Sequence, residues 1–301
     1  MHYRITHRTN YRHSETVPLC QNALWLTPRN DGRQQRHSCR IEITPTPTNR
    51  STRTDYFGNE VTYFMLDAGY RTLDVVAVSD VQVKPRSPAG VLPDTPAWET
   101  LAKSLCDDLS NPGIDACQFR FDSPSAVASD ELADYARGSF TSVRPVAEAA
   151  RELTTRLHTD FAYDPCATTV QTSVAEAFGL KRGVCQDFAH VQIACLRSLG
   201  LAARYVSGYL RTIPPPGQPR LVGADASHAW VSVFCGPAGW LAFDPTNDLV
   251  PSTDHVTIAW GRDYGDVTPV RGLFVGGGHH EMSVSVDVAP IDESGSEIEL
   301  T

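Results

Sequence analysis

The segment LKRGVCQDFAHVQIACLRSLG, residues 180–200, holds a cysteine, Cys185, directly after Arg-Gly-Val and at the head of a long apolar periodic run. A helix that starts there presents unpaired amides and a dipole end, and both favour negative charge. For a cysteine the charged form is the thiolate, which is the nucleophile. Gly183 lets the backbone turn into the helix and leaves room for a substrate carbonyl. The backbone N–H of Cys185 can then face a developing oxyanion. The chemistry that follows is attack of a thiolate on an acyl carbon.

Such a nucleophile needs a base that takes its proton and returns one to the leaving amine. Ten histidines are available. His190 lies five residues on along the same helix, roughly 140° round its axis, and faces away. His158 sits at a helix end, His255 begins a strand, and His279 and His280 follow three glycines in a loop. His228, in DASHAWVSVF, opens a strand that leads through the turn CGPAG to an acid, Asp244 in GWLAFDPTND. If Phe234 pairs with Ala238 across that turn, His228 lies directly opposite Asp244, with Cβ atoms about 5 Å apart. The carboxylate then orients the imidazole and stabilises its cation.

Each residue also has a plainer reading. Cys185 alone is a buried helix cysteine, His228 a satisfied sheet histidine, and Asp244 a turn aspartate before Pro245. Occurring together and in order, they favour catalysis. Cys195 reads as core. Cys235 lies in or beside a turn, as a candidate exposed thiol with nothing to activate it. Cys20, Cys39, Cys106, Cys117 and Cys166 read as packing residues or surface thiols. Asn247 and Asp248 are substitutes for the orienting role. Asp187 favours the first helical turn by its charge, although it opposes a nearby thiolate. Trp230 and Trp240 read as hairpin and core aromatics. A second oxyanion donor is not fixed: Gln171, Thr172 or another backbone N–H would serve. His279-His280, adjacent in a glycine-rich loop with no cysteine partner, is a poor metal pair.

The elements that must position these residues follow from periodicity. Residues 1–90 alternate in short runs closed by turn residues and prolines, which predicts an antiparallel β-sandwich. In LDVVAVSDVQV, for example, Leu73, Val75, Ala77, Val81 and Val83 share one parity. KPRSPAGVLPDTPAW, with four prolines, reads as a linker, so 91–140 is expected to be a linker with short helices at 96–109 and 129–137. Pro145 opens a helix. Ser173 and Glu176 have capping-box spacing, with Gly179 as the stop. The helix from Cys185 ends at Gly200. Strands follow to residue 288, which gives an α+β core over 141–288 and a mobile acidic tail over 289–301.

Bulk properties narrow the partners. The chain has 301 residues and a net charge of −9, against a nucleic-acid or acidic-membrane partner. The N-terminus MHYRITHRTNYRH has no apolar core or cleavage site, and no window reaches the roughly 18 apolar residues of a spanning helix. A cytoplasmic protein is expected. Most of the eight cysteines, none in a Cys-x-x-Cys pair, are then expected to be free thiols.

RGVCQDFAH, SHAWVSVF and GWLAFDPTND, in that order, resemble the three core motifs of the transglutaminase-like superfamily. The N-terminal stretch, including DYFGNEVTYF, is similar to the β-rich domain that precedes this core in bacterial members, which are often described as candidate cysteine proteases. The resemblance implies a papain-like core with Cys185 as nucleophile, His228 as base and acid, and Asp244 as orienter. It implies attack on an amide or ester carbonyl, a thioester, and release to water or to an amine. Animal crosslinking members need calcium; no acidic loop here has calcium-ligand spacing, so no cofactor is expected. The expected substrate is a peptide or protein amide. Hydrolysis is preferred because water needs no acceptor site. Amine transfer and a non-catalytic binding module on the same fold are the alternatives.

Overall fold

The computed structural model describes residues 1–85, 91–212, 226–292 and 295–298. Six strands come first: β1 (His2–Val17), β2 (Leu19–Leu24), β3 (Gln34–Thr44), β4 (Asn49–Thr54), β5 (Glu60–Leu66) and β6 (Tyr70–Val83). Four helices follow, α1 (Trp98–Ser104), α2 (Asn111–Cys117), α3 (Asp130–Arg137) and α4 (Val146–Asp160), then β7 (Ala162–Tyr163), α5 (Val174–Leu180), β8 (Arg182–Gly183) and α6 (Cys185–Ser198). The chain closes with β9 (Ala203–Leu210), β10 (Ala226–Phe234), β11 (Trp240–Phe243), β12 (His255–Gly261), β13 (Val270–Val275) and β14 (His280–Pro290).

Helices and antiparallel sheets combine in an α+β fold. Two four-stranded sheets, in the orders β14-β1-β6-β3 and β13-β2-β5-β4, face each other. Leu24, Phe64, Leu66, Leu73 and Val75 fill the space between them. Alternation explains the pairing: Leu73, Val75, Ala77, Ser79, Val81 and Val83 of β6 are all buried, while the residues of the other parity between them are more exposed. The third sheet, β11-β10-β9-β12, carries α6 against it. Phe188, Ile193 and Leu196 of α6 are fully buried, each contributing roughly 1.5–3 kcal/mol. That anchoring fixes where the helix begins.

Four features of the fold differ from those the sequence predicts. Residues 91–140 are not a linker. Leu101, Leu105, Phe119, Leu132 and Phe140 lie in the same core as α6, because these apolar side chains find their burial there. Residues 86–90 of the proline-rich stretch lie outside the described residues. The core does not run to 288, because β13 pairs with β2 and β14 with β1 over eleven residues. The last two strands therefore complete the N-terminal sandwich. The tail is held at its start: Ile291 is buried and donates its N–H to the His2 carbonyl, and Arg4 reaches the Gly295 carbonyl. Residues 293–294 and 299–301 of that tail lie outside the described residues. Finally, α5 starts on the expected Ser173 cap, whose Oγ accepts the Glu176 N–H at 3.2 Å, but it ends at Lys181 in left-handed geometry, not at Gly179. Among the described residues no helix is long and apolar enough to cross a membrane.

Candidate active site

Cys185 is the first residue of α6 and is half-buried. The helix start is fastened by Asp187. Its Oδ2 accepts the Val184 N–H at 2.8 Å and the Thr168 hydroxyl at 2.6 Å. The carboxylate is thus fixed by two donors at the start of the helix, where its charge suits the dipole. This also gives Gly183 its reason, which differs from the expected sharp turn. A Cβ at 183 would stand 2.4 Å from Asp187 Oδ2 and 2.8 Å from its Cγ. Gly183→Ala should therefore push Asp187 off Val184 and Thr168. Overpacking of this kind costs about 1–3 kcal/mol, so a lower urea midpoint together with slower alkylation of Cys185 is expected. Unchanged values of both would refute the assignment.

His228 sits near the start of β10, in register with Gly208 of β9. Its Nε2 lies 2.8 Å from Asp244 Oδ2, which leaves Nδ1 for the Cys185 side chain, which lines the same cleft. Burial pushes the imidazole down, but the hydrogen bonds to Asp244 and Cys185 and their negative charges outweigh it, raising His228 to about 10. Asp244 is fully buried. Burial alone would raise it; the hydrogen bonds from His228 and His255 instead hold it well below the usual carboxylate range. The three side chains from distant segments therefore meet.

The hairpin register differs from the expected one by two residues. Phe234 pairs with Trp240 rather than Ala238, because the turn takes five residues, closed by the Cys235 N–H on the Gly239 carbonyl. A shift of two preserves parity, so His228 and Asp244 stay on one face, diagonal instead of opposed.

Asp244 holds more than was expected. His255 Nε2 lies 3.0 Å from the same Oδ2, and Asn247 Nδ2 donates to it at 2.9 Å. Oδ1 accepts the N–H groups of Thr246 and Asn247 at 3.0 and 3.2 Å. Asn247 thus supports Asp244 rather than replacing it. Asp248 turns away and pairs with Arg151 at 2.5 Å. The signal for His255 was its strand start, but its importance depends on β12 lying beside β9, where His255 pairs with Leu210 two positions from Gly208. His190 faces away as expected and accepts the Tyr264 N–H. Cys235 is fully buried, correcting its reading as an exposed thiol. Gln171 and Thr172 lie in a turn outside the residues that line the cleft; Gln186 lines it instead. His228, Asp244 and His255 place donor atoms within 4.8 Å of one another, a set that could hold a metal ion, although here those atoms hydrogen-bond each other.

A cleft of about 470 Å³ opens over Cys185 and His228. Tyr205 and Tyr264 wall one side; Tyr11, Met282 and Val284 of the sandwich wall the other. Strands β1 and β14 of the sandwich therefore contribute to the lining of the cleft.

A family model of the bacterial transglutaminase-like N-terminal region matches residues 3–82, and one of the transglutaminase-like superfamily matches residues 133–245. The chain belongs to the transglutaminase-like superfamily. The core match of this transglutaminase-like chain spans Cys185, His228 and Asp244. An uncharacterized protein of Mycobacterium tuberculosis is 42% identical over 298 residues, covering 96% of this chain and 93% of that protein. A protein-glutamine gamma-glutamyltransferase of Pseudomonas aeruginosa is 35% identical over 97 residues, which are 31% of this chain and 14% of that enzyme. The crystal structure of a candidate cysteine protease from Cytophaga hutchinsonii superposes with a TM-score of 0.74 at 21% identity, covering 100% of this chain and 94% of that one. It shares the fold.

Proposed function

We propose that this chain is a thiol-dependent acyl-transfer enzyme that cleaves peptide or isopeptide amides with Cys185, His228 and Asp244. The Cys185 thiolate adds to the carbonyl carbon, and the resulting oxyanion lies toward the Cys185 N–H at the helix start. Collapse breaks the C–N bond, the amine leaves with the proton held by His228, and a thioester remains. Water then gives a proton to His228 and its hydroxyl to the acyl carbon, and the thiolate departs. Asp244 keeps the ring oriented throughout and stabilises its charged form before the amine leaves and after water has given up its proton. The observation that carries this reading is an imidazole bonded to a buried carboxylate and sharing one cleft with a cysteine at a helix start. The apolar side chains of Met282 and Val284 suit an apolar residue next to the scissile bond.

Amine transfer is the second reading, favoured by the similarity of the core segment to a named glutamyltransferase. A screen against peptide and isopeptide libraries, comparing wild type with Cys185→Ala, tests both. Hydrolysis should fall to background in the variant, and the wild type should form a covalent adduct whose mass equals the acyl group. Incorporation of an added amine faster than hydrolysis would favour transfer. Turnover surviving in Cys185→Ala would end the proposal.

A further inference from the structure

A second cavity, of about 260 Å³, lies away from the thiol. Arg204, Ser232, Trp230, Trp240 and Trp260 of the third sheet line it, and the turn at residues 31–34 completes its wall. Register explains the grouping. Arg204 pairs with Ser232, and Val206 pairs with both Trp230 and Trp260, so these side chains share one face.

Arg204 is the unusual member. It is 8% exposed, and its guanidinium lies 4.2 Å from the Trp240 ring centre and 3.7 Å from that of Trp260. Among the described residues no carboxylate pairs with it in an ion pair, Asp115 and Asp31 acting only at longer range, and its Nε is buried without a partner. A buried cation without a counterion is costly. Burial pushes Arg204 down to about 9 and Arg29 adds repulsion, with a smaller opposing attraction from Asp115 and Asp31. The acid at the cavity wall, Asp31, already holds the backbone N–H groups of Arg33 and Gln34 on its Oδ1.

We propose that this cavity is a binding site for a small carboxylate with an apolar body. The carboxylate would take the planar donor fork of Arg204, and the body would rest among the indoles. The site would stand behind the thiol centre, joined to it by His255, which lines the cavity and hydrogen-bonds Asp244. It is independent of the amide chemistry proposed above.

The test uses the full chain carrying Cys185→Ala, so that its outcome is separate from turnover. Benzoate, acetate and phosphate are titrated against chloride of equal ionic strength, reading indole fluorescence and the unfolding midpoint. Benzoate should give a saturable change and bind more tightly than acetate or phosphate. Arg204→Gln should weaken benzoate at least about tenfold, the loss expected of a charged hydrogen-bonding partner. Ala242→Leu leaves the guanidinium in place and fills the cavity, so it should also weaken binding, which keeps the test open if Arg204→Gln does not fold. No saturable response, phosphate binding more tightly than either carboxylate, or unchanged benzoate affinity in Ala242→Leu would each overturn the proposal.

Discussion

Replacing His228 with alanine should slow amide turnover by roughly 10²–10⁴-fold, the range associated with a positioned acid–base group, and should slow alkylation of Cys185 by iodoacetamide at neutral pH by roughly ten- to thirtyfold, since a free cysteine is already a few per cent thiolate there. The effect is electrostatic. In the wild type the imidazole stays charged up to about pH 10, so a cation stands beside the sulfur across the physiological range. Alanine removes that cation and leaves a half-buried thiol whose remaining local favour is the helix end. The comparison needs an internal standard. Cys106 and Cys166 are exposed, whereas Cys235 is fully buried and would report only on unfolding. Mapping adducts by mass should show Cys185 leading Cys106 and Cys166 in wild type and losing that lead in His228→Ala. Equal labelling of the three in wild type would remove the case for an activated thiolate.

The candidate site was legible in the sequence because its requirements are local. Cys185 needed only a helix start, which Arg-Gly-Val and the apolar run declare. His228 and Asp244 needed only equal parity around a short turn, and a two-residue error in register left parity intact. What was not legible depends on strands that pair across long sequence distances. Period-two alternation says that 280–288 is a strand but not that it joins β1, some 280 residues earlier, and closes one wall of the cleft. The same limit hid His255. Its contact with Asp244 requires β12 to lie on the far side of β9 from β10. Residues 91–140 misled for another reason. Prolines and short helices suggest a linker, whereas Leu101, Phe119 and Leu132 are spaced too irregularly to reveal the core they enter. Gly208 records the crowding at this sheet: a Cβ there would lie 2.5 Å from Trp230 Cη2 and 2.1 Å from the Val256 carbonyl oxygen.

Asp244→Asn should cost on the order of 10⁴ in turnover while leaving the fold in place. Three groups aim at Oδ2, namely His228 Nε2, His255 Nε2 and Asn247 Nδ2, and two backbone N–H groups aim at Oδ1. An amide supplies one acceptor and one donor where five groups now find acceptors, so either side of the carboxylate must lose partners. The charge is lost as well. Without it, burial opposes the imidazolium and only Cys185 still raises it. His228 should therefore titrate well below 10, and the alkaline limb of the Cys185 alkylation profile should move down with it. The sign for stability follows from the same two shifts. Asp244 is depressed from 3.8, so its contribution is full above that pH and is lost as pH falls through its folded value. His228 is raised from 6.5, so its contribution is full below 6.5 and is lost as pH rises through about 10. The pair stabilises most between 3.8 and 6.5. Urea midpoints of the wild type should decline from that window toward pH 10, and those of Asp244→Asn should be flatter across it. An alkaline limb that stays near 10 in Asp244→Asn would show that Asp244 does not hold the charge on His228.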